Sequence, residues 1–397
     1  MGCKSNQFES AIIVENLEAN GLKQVDVIEK ADLFILNSCT VTHKSDNEAL
    51  YLLRNAKNKN SLITTVLTGC VAQVEKEKLS EYDYIDFVFG NDEKLNIFEY
   101  LKKSTPVVVG DIMQRDKFSY VHLNDMSKTR ASLKIQDGCD NRCSYCLIPF
   151  ARGKSRSANL DFIIEEINKF ADNGFKEVVF TGIHIGQWGK DLGLNLADLI
   201  CAVEEKTKIH RYRLGSLNPL EITDDLLNIL VQSKKFAPHF HLSLQSACNK
   251  TLKSMNRFYT VEYYLEQIDR LNDIFELPFL GSDIIAGFAG ETEEDFKETC
   301  KNLEKSGLTQ IHTFPYSVRE GTTGAKMENQ VPDKIKEERA SIIKEISRQK
   351  YNEFIRRNIG KIHEIIIEKH PRKTDGLLKG VSGNYLNIIT DSKDKTL

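Results

Sequence analysis

The sequence predicts an α/β protein: a parallel sheet covered by helices, then a full or partial barrel of parallel strands, then a small β unit. Three observations predict this. Short apolar runs alternate with helical segments over residues 1–124, the alternation repeats from Ala131 to Ser317, and a long charged helix then precedes two strand-like segments. At 397 residues, with 41% hydrophobic and 28% charged residues, the chain is long enough for two or three domains with their own cores.

The first region shows two rounds of helix and strand. The predicted elements are helix 8–20, strand 32–36, helix 45–58 and strand 62–67. Gly21 stops the first helix, and the second strand leads into Thr68-Gly69-Cys70. Gly2-Cys3 resembles the loop after a first strand, but no strand precedes it, so we expect that the start is either misassigned or truncated.

The central region repeats strand and helix with clear punctuation. Its predicted strands are 133–135, 177–180, 239–244, 279–285 and 310–316, with helix 160–171 after the first. Thr292-Glu293-Glu294-Asp295 has the capping-box pattern that starts a helix. Strand-helix units repeated at this length favour a full or partial barrel, in which the loops after the strands hold the chemistry. A doubly wound open sheet is the alternative.

The last region opens at Pro332-Asp333 with a charged helix that is predicted to run to Asn358 and to break at Gly360. Residues 361–368 and 385–390 have the composition of strands. Two strands are too few for a stable isolated β domain, so we expect this unit either to lean on the barrel or to be incomplete. The predicted domains are therefore 1–124, 125–358 and 359–397.

The sequence shows no pattern typical of a targeting signal. No apolar run approaches the roughly 18 residues of a membrane-spanning helix. The N-terminus has neither a secretion signal nor a myristoylation motif. We therefore expect a cytoplasmic protein with no membrane partner. A reducing cytosol disfavours disulfides, so clustered members of the nine cysteines are expected to be metal ligands.

Charge is unevenly distributed although the net charge is only −3. Residues 128–156 carry seven Lys or Arg against two Asp, and residues 333–373 carry twelve against seven acidic residues. If the chain binds RNA, these two basic segments are its expected footprint. A solvated surface explains the same charge counts equally well.

The sharpest motif is the CxxxCxxC spacing of Cys139, Cys143 and Cys146, which we call the radical loop. Three thiolates on one tight loop can hold three irons of a cubane 4Fe-4S cluster and leave the fourth iron open for S-adenosylmethionine. A structural zinc site is the alternative, but zinc prefers four protein ligands in paired CxxC units, and no second pair exists here. The motif resembles that of the radical S-adenosylmethionine superfamily, in which the aromatic residue before the last cysteine, here Tyr145, lies near the adenine of the cofactor.

Cys3, Cys39 and Cys70, which we call the auxiliary cysteines, are each expected at or just beyond the C-terminal end of a strand. Such ends meet at one edge of a parallel sheet, so three thiolates could hold a second cluster there. A small buried hydrophobe is the default interpretation of any single cysteine, but three at equivalent positions favour ligands. Of the other cysteines, Cys201 and Cys300 lie within predicted helices and are expected to belong to the core, and the role of Cys248 is undetermined.

Several motifs together resemble the methylthiotransferase family over almost the whole chain. The longer ones are GCKSNQFES at 2–10, NSCTVT at 37–42, TGC at 68–70, the radical loop, and LIPFARGKSRS at 147–157. Shorter matches lie at 181–183, 241–246, 283–288, 290–291 and 316–322. Several independent motifs in the same order argue against a chance match.

The resemblance implies an N-terminal flavodoxin-like domain with an auxiliary cluster, a partial TIM-type radical S-adenosylmethionine barrel, and a short C-terminal TRAM-like RNA-binding domain. Residues 2–10 are most similar to the MtaB-like branch, which acts on threonylcarbamoyladenosine in tRNA and has Val where Ser5 stands. Ser38 and Ala247 also depart from the family, where Thr and Gly are common. Neither change removes a ligand.

The resemblance also implies the reaction: methylthiolation of C2 of N6-threonylcarbamoyladenosine at position 37, in the anticodon loop of tRNA. Two S-adenosylmethionine molecules are expected per turnover, one to methylate sulfur on the auxiliary cluster and one to be cleaved to a radical on the radical-loop cluster. A sulfur source and an external reductant are required, with flavodoxin or ferredoxin as the expected electron donor. We expect a monomer.

Residues at strand ends are expected to line the cofactor pocket with Tyr145: Thr181, Gly182, Ser243, Gln245, Ile285 and Gly287. For each taken alone, strand packing or turn formation is the simpler interpretation. Arg152 and Arg156 are candidate substrate ligands, because a guanidinium group binds a phosphate or the threonyl carboxylate through two parallel hydrogen bonds. Solvation at the surface is the alternative for both.

Three other functions remain open. Two keep the chemistry and change the substrate, to isopentenyladenosine in tRNA or to an aspartate of a ribosomal protein. The third is a metal-stabilised RNA-binding protein without catalysis. Iron and labile-sulfide analysis distinguishes it from the enzymes.

Overall fold

The structure is a computed structural model that describes residues 2–40, 42–122, 128–372 and 374–391. The chain divides into two compact units. The cysteine unit comprises residues 1–125, 136–158 and 317–322, and the barrel unit comprises residues 126–135, 159–316 and 323–397. The radical loop and the auxiliary cysteines all belong to the cysteine unit. In the described ranges, no helix is both long and apolar enough to cross a membrane.

Residues 2–122 form the sheet of the cysteine unit and its helices. The elements are α1 (Lys4–Ala19), β1 (Leu33–Ser38), α2 (His43–Lys59), β2 (Thr64–Gly69), α3 (Cys70–Val74), α4 (Lys76–Leu79), β3 (Phe87–Phe89), α5 (Ile97–Lys102) and β4 (Val107–Val108). After β5 (Ala131–Lys134), which belongs to the barrel unit, the chain adds three short elements to the cysteine unit. These are β6 (Gln136–Asp137), α6 (Ile148–Arg152) and β7 (Arg156–Ser157).

The rest of the barrel unit alternates helix and strand before it ends in three short strands. The elements are α7 (Leu160–Asp172), β8 (Glu177–Thr181), α8 (Leu196–Lys206), β9 (Arg211–Arg213), β10 (Ser216–Leu217), α9 (Asp224–Gln232), β11 (His239–Leu242), α10 (Asn249–Ser254), α11 (Val261–Ile274), β12 (Phe279–Ala286), α12 (Glu293–Lys305), β13 (Gln310–Pro315), α13 (Asp333–Asn358), β14 (Ile365–Ile367), β15 (Leu378–Ser382) and β16 (Asn387–Thr390).

The sheet of the cysteine unit has the strand order β1-β2-β3-β4, and its pairings are parallel. Successive side chains of a strand point to opposite faces, so a sheet covered on both faces has nearly continuous apolar strands. Leu67 packs on one face in a cluster with Leu53 of α2, and Val66 packs on the other with Ile13 of α1. The predicted parallel sheet between helices is therefore confirmed.

The start of the chain differs from its predicted form. Helix α1 begins at Lys4 rather than at Phe8, and Cys3 is its N-cap residue. The described residues contain no strand before β1, whose outer edge lies beside a groove of about 670 Å³ lined by residues between 14 and 35. Cys3 therefore lies at a helix start and not at a strand end.

The barrel unit contains parallel strands in sequence order. One sheet has the order β5-β8-β9 and the next β10-β11-β12-β13. Only Leu214 and Gly215 separate β9 from β10. Because β9 pairs with β8 and β10 pairs with β11, the two short strands together occupy one position in the series. A doubly wound sheet reverses its strand order at a switch point, whereas this order runs in one direction. The partial-barrel prediction is confirmed over the open-sheet alternative.

The C-terminal strands β14, β15 and β16 form an antiparallel sheet. It packs against the barrel strands: Tyr385 contacts the rings of His239 and Phe279, and Asn384 donates to the carbonyl oxygen of Leu277. The expectation that this unit leans on the barrel is confirmed. The middle strand, β15, was not predicted, because Lys379 and Gly380 interrupt its apolar pattern.

Two further details were misassigned from the sequence. Cys201, expected in a helix core, is exposed on α8, with its sulfur 3.6 Å from a carboxylate oxygen of Glu205. The strand predicted at 361–368 is reduced to the three residues of β14. The capping box at Thr292 and Asp295 and the long helix α13 match their predicted positions.

A buried ion pair joins the first strands of the barrel to the C-terminal sheet. Glu177 of β8 is fully buried and accepts hydrogen bonds from Arg211 at 2.5 Å and from Arg213 at 3.3 Å. The same two arginines donate to backbone oxygens of Val381 and Ser382. Burial raises the pKa of a carboxyl, but Arg213 and Arg211 outweigh it and hold the pKa of Glu177 below its ordinary value. The stabilisation is therefore present at neutral pH and is lost as pH falls through the lowered native pKa.

Glu177→Ala is expected to reduce the free energy of unfolding by about 3–5 kcal/mol, because it leaves two buried arginines without their carboxylate. Thermal or urea unfolding of the full chain measures the effect. Glu266→Ala is the matched control, since Glu266 is exposed on α11. Equal, small losses in the two variants would contradict the structural role given to Glu177.

Candidate functional site

Two of the auxiliary cysteines follow neighbouring strands of the parallel sheet. Ser38 at the end of β1 pairs with Gly69 at the end of β2, and Cys39 and Cys70 are the residues that come next. Both cysteines are buried. The parallel register therefore places these two thiols at the same edge of the sheet, as the sequence predicts. We call this edge, where β1 and β2 end just before Cys39 and Cys70, the cysteine edge.

Helix α1 brings Cys3 to this edge. The side-chain amide of Asn6 donates to the backbone carbonyl oxygens of Asn37 at 3.3 Å and Ser38 at 2.8 Å. The side-chain amide of Asn37 donates in return to the backbone carbonyl oxygen of Asn6. A Cβ built on Gly2 would lie 2.9 Å from the Cβ of Cys39. The first turn of α1 is thus tied to the end of β1, beside Cys39.

Gly69 allows Cys70 to start helix α3 directly after β2. Its φ of 96° lies in the region that favours glycine, and an added Cβ would lie 2.5 Å from the Ser38 carbonyl oxygen. A larger residue here would push the ends of β1 and β2 apart. The Thr-Gly-Cys sequence is therefore a requirement of the backbone as well as a motif.

The radical loop is closed by its flanking backbone. Gly138 has a φ of 77°, and a Cβ there would lie 1.9 Å from the Lys154 carbonyl oxygen. The amide of Cys139 donates to the Gly153 carbonyl oxygen, and the amide of Cys146 donates to that of Cys143. These contacts hold the three cysteines on one short turn between β6 and α6. Each of them is partly exposed, as is Tyr145.

Arg152 has a different environment from the predicted one. Its side chain is 1% exposed at the end of α6, with Nε 3.3 Å from the sulfur of Cys70. Its Nη atoms bind Glu9 and donate to Asn6 Oδ1 at 3.0 Å. Burial opposes the charge, but Cys70, Glu9 and Asp137 outweigh it and keep the pKa of Arg152 well above its ordinary value. The substrate-binding role predicted for Arg152 is corrected: the guanidinium belongs to the cysteine edge.

Arg156 is also buried. Its Nη1 donates to the carbonyl oxygens of Arg152 at 3.0 Å and Lys154 at 2.9 Å, and its Nη2 lies 3.5 Å from a carboxylate oxygen of Asp137. The predicted contact with substrate is corrected here too. Lys134, Arg152 and Arg156 are all buried, so segment 128–156 presents fewer cations to RNA than its charge count indicates.

Another buried arginine fixes Thr40, the residue after Cys39, and the sequence motif around this arginine does not reveal that role. Arg319 binds Asp46 of α2 and donates to Thr40 Oγ1 at 2.7 Å. Burial raises the pKa of Asp46 above its ordinary value, although Arg319 works in the other direction. The matched motif at 316–322 contains this arginine, but only the fold shows that its partner lies some 270 residues earlier.

The residues predicted to line the cofactor pocket lie at carboxyl ends of barrel strands. Thr181 ends β8 and Gly182 follows it, while Ser243 follows β11. Gln245 and Ile285 are brought together, because the Ile285 amide donates to the Gln245 carbonyl oxygen at 2.9 Å. In the following turn, a Cβ added to Gly287 would lie 2.6 Å from Cγ of Lys336. The positions agree with the predicted rim of strand ends.

The sequence motifs do not reveal a polar cluster on the barrel strands, which consists of His241, Asp283 and His312. His241 Nε2 forms a 2.9 Å hydrogen bond with Asp283 Oδ2, and the ring of His312 stacks on His241 at 5.6 Å between centroids. Burial and the neighbouring His241 lower the pKa of His312. These residues alternate with buried Leu242 and Ile284, so they lie on one face of the sheet. The motifs at 241–246 and 283–288 contain the first two.

The donors at the cysteine edge suit an iron-sulfur cluster. Cys70 receives Arg152 Nε at 3.3 Å and Asn91 Nδ2 at 3.8 Å, and hydrogen bonds to sulfur stabilise thiolate-bound clusters. In the radical loop, the amide of Ile148 donates to Cys146 sulfur at 3.4 Å. In the described ranges, no three His, Cys, Asp or Glu side chains are placed to hold a single metal ion.

Family models match most of the chain. The model described as uncharacterized protein family UPF0004 matches residues 1–90, and the model of the radical SAM superfamily matches residues 133–303. The first match contains the auxiliary cysteines, and the second contains the radical loop.

Curated relatives are similar over nearly their full length. The chain is 36% identical over 395 residues to "Threonylcarbamoyladenosine tRNA methylthiotransferase MtaB" of Aquifex aeolicus, covering 98% of this chain and 94% of that protein. It is 33% identical over 399 residues to the protein of the same name from Bacillus subtilis, covering 98% and 88%. It is also 35% identical over 407 residues to "tRNA-2-methylthio-N(6)-dimethylallyladenosine synthase" of Lachnoclostridium phytofermentans, covering 99% and 89%.

A solved structure shares the architecture. The radical S-adenosylmethionine methyltransferase TsrM from Kitasatospora setae, solved with cobalamin and a [4Fe-4S] cluster bound, is similar with a TM-score of 0.58. The similarity covers 77% of this chain and 71% of that one, at 13% sequence identity. It shows the fold alone.

Anaerobically reconstituted protein is expected to contain about eight irons per chain, and Cys70→Ala or Cys146→Ala is expected to leave about four, because each removes a predicted ligand of one cubane cluster. Iron and labile-sulfide assays measure this. Cys201→Ala is the matched control, since Cys201 is exposed outside the cysteine unit. Equal iron in all three variants would contradict the ligand assignment.

Proposed function

The chain belongs to the radical S-adenosylmethionine methylthiotransferase family of tRNA-modifying enzymes, and we propose that it methylthiolates C2 of N6-threonylcarbamoyladenosine at position 37 of tRNAs. The observation that carries the proposal is the placement of two three-cysteine sets in one compact unit. The choice of substrate is supported by residues 2–10 and by relatives with the corresponding name, at 33–37% identity.

The family uses S-adenosylmethionine and 4Fe-4S clusters. When bound, these groups supply the one-electron chemistry and the sulfur that replacement of the non-acidic C2 hydrogen requires. We assign Cys139, Cys143 and Cys146 to the cluster that binds S-adenosylmethionine. Cys3, Cys39 and Cys70 are assigned to the auxiliary cluster.

The other residues of the cysteine unit orient these ligands. Asn6 ties α1 to the end of β1, and Arg319 holds the loop after Cys39. Fixed ligands keep the site in its reactive arrangement without reorganisation during turnover. Arg152 and Asn91 donate toward Cys70 and direct polar hydrogens at the sulfur.

In the barrel unit, the strand-end residues named above are proposed to bind the cofactor, with Tyr145 of the radical loop near its adenine. His241, oriented by its hydrogen bond with Asp283, is proposed to line the substrate site in the barrel unit. An adenosine in the anticodon loop has to leave its stack to be reached by any such group.

Exposed basic residues are proposed to contact tRNA, chiefly in segment 333–373 and the C-terminal strands. The proposal also includes a monomer, a flavodoxin or ferredoxin as electron donor, and an external sulfur source. The non-catalytic RNA-binding alternative has no support from the family.

A second substrate remains a specific candidate. Relatives named as dimethylallyladenosine synthases match at 30–35% identity, which overlaps the range of the first group. Methylthiolation of isopentenyladenosine is therefore the runner-up. No relative named above points to the ribosomal-protein substrate.

Expression of this chain in a strain that lacks tRNA methylthiolation is expected to produce 2-methylthio-N6-threonylcarbamoyladenosine, measured by mass spectrometry of digested tRNA. Cys3→Ala and Cys139→Ala should each abolish the product. Appearance of methylthiolated isopentenyladenosine alone would keep the reaction and overturn the substrate.

His241→Gln is expected to lower the rate of methylthiolation at least about tenfold, because it replaces the imidazole that Asp283 orients at the proposed substrate site, and loss of a positioning contact costs factors of up to roughly 100 in enzymes. Rates are measured with reconstituted protein and tRNA in single turnover. His210→Gln is the control, since His210 is an exposed histidine paired with Glu364. Unchanged rates in His241→Gln with full iron would contradict the placement of His241 at the substrate site.

A further inference from the structure

Arg152 is the centre of a buried polar network that links four segments of the cysteine unit. It is carried by α6 and contacts Asn6 and Glu9 of α1, Asp137 of β6 and Cys70 at the start of α3. Burying a guanidinium is costly unless each donor has a partner. Here Nε is directed at sulfur, and the two Nη groups are directed at oxygen. This division of donors is specific to a guanidinium group.

The rest of the network fixes the orientation of that guanidinium. Lys94 is also 1% exposed and binds Glu9, and it donates to Asn91 Oδ1 at 2.7 Å. Asn91 in turn donates to the Ala151 carbonyl oxygen at 2.6 Å and lies 3.8 Å from the Cys70 sulfur. The two donors near this sulfur are therefore held by a common set of hydrogen bonds.

The charges of this network favour an anion at the sulfur. The contacts described place the cations Lys94, Arg152 and Arg156 against two carboxylates, Glu9 and Asp137. A cubane cluster held by thiolates carries negative charge, and its reduction adds more. Nearby positive charge and N–H donors to sulfur therefore favour the reduced state and raise the reduction potential.

We propose that Arg152 is a positioning residue for the auxiliary cluster: it donates to Cys70, sets the reduction potential of that cluster, and ties it to the backbone of the radical loop through Asp137. The inference rests on the proposed assignment of the auxiliary cysteines as ligands. Asp137 Oδ1 accepts from Arg152 Nη1 at 3.4 Å and from the backbone amide of Gly138, the residue before Cys139, at 3.0 Å, so the same arginine contacts both cysteine sets, one of them through Asp137.

The test measures the potential of the auxiliary cluster by itself. The full chain with Cys139, Cys143 and Cys146 all changed to Ala retains only the auxiliary ligands. In this background, Arg152→Gln is expected to shift the potential in an anaerobic redox titration monitored by electron paramagnetic resonance to a more negative value. Glu9→Gln removes a negative charge from the same network, and it is expected to shift the potential in the opposite direction.

The opposite signs of the two potential shifts distinguish the proposed role from general destabilisation of the fold, because destabilisation does not predict shifts of opposite sign. Arg213→Lys is the matched control: Arg213 is equally buried and paired with a glutamate, but in the barrel unit. It should leave the potential unchanged. If Arg152→Gln loses its cluster, the Glu9→Gln shift still decides the question.

Unchanged potentials in both network variants with the cluster intact would overturn the role of Arg152 and leave the proposed function standing. Loss of all iron in the triple-alanine background without any network variant would overturn the assignment of the auxiliary cysteines, and this inference with it. An equal shift in Arg213→Lys would also refute the role.

Discussion

The pairing of the ends of β1 and β2 is the constraint on which the cysteine unit depends. Because Ser38 and Gly69 are in register, Cys39 and Cys70 leave the sheet at the same level. Every other contact near them adds to this edge. Asn6 attaches helix α1 to this edge, and Arg152 of α6 donates to the sulfur of Cys70. Gly69 allows the backbones of β1 and β2 to approach each other closely.

Burial makes the edge both costly and well defined. Glu9, Lys94 and Arg152 are almost inaccessible to solvent, and each charged group has a partner of opposite charge or a polar acceptor. Breaking one such pair leaves an uncompensated buried charge, which costs about 3–5 kcal/mol, whereas an exposed pair contributes about 0–1 kcal/mol. The barrel unit uses the same device at Glu177, where it fixes the C-terminal sheet to the strands.

Much of this architecture could be predicted from the sequence, because it depends on local patterns. Alternating apolar runs give the parallel strands, and the CxxxCxxC spacing gives the radical loop. Residues that depend on distant partners could not be assigned. Sequence alone assigns Arg152 and Arg156 to the substrate, because an arginine beside a motif has the same sequence context whether its partner is a phosphate or a distant carboxylate. The carboxylate that binds Arg152 is that of Glu9, some 140 residues away. Arg319 and the His241–Asp283 pair were missed for the same reason.

The two-cluster reaction is tested most directly by the product balance of purified, reconstituted protein with S-adenosylmethionine, a reductant, a sulfur source and tRNA carrying threonylcarbamoyladenosine. One S-adenosylhomocysteine and one 5′-deoxyadenosine are expected for each 2-methylthio-N6-threonylcarbamoyladenosine formed, since one cofactor molecule supplies the methyl group and another the radical. Formation of 5′-deoxyadenosine without methylthiolated nucleoside, from protein that holds both clusters, would contradict this reaction.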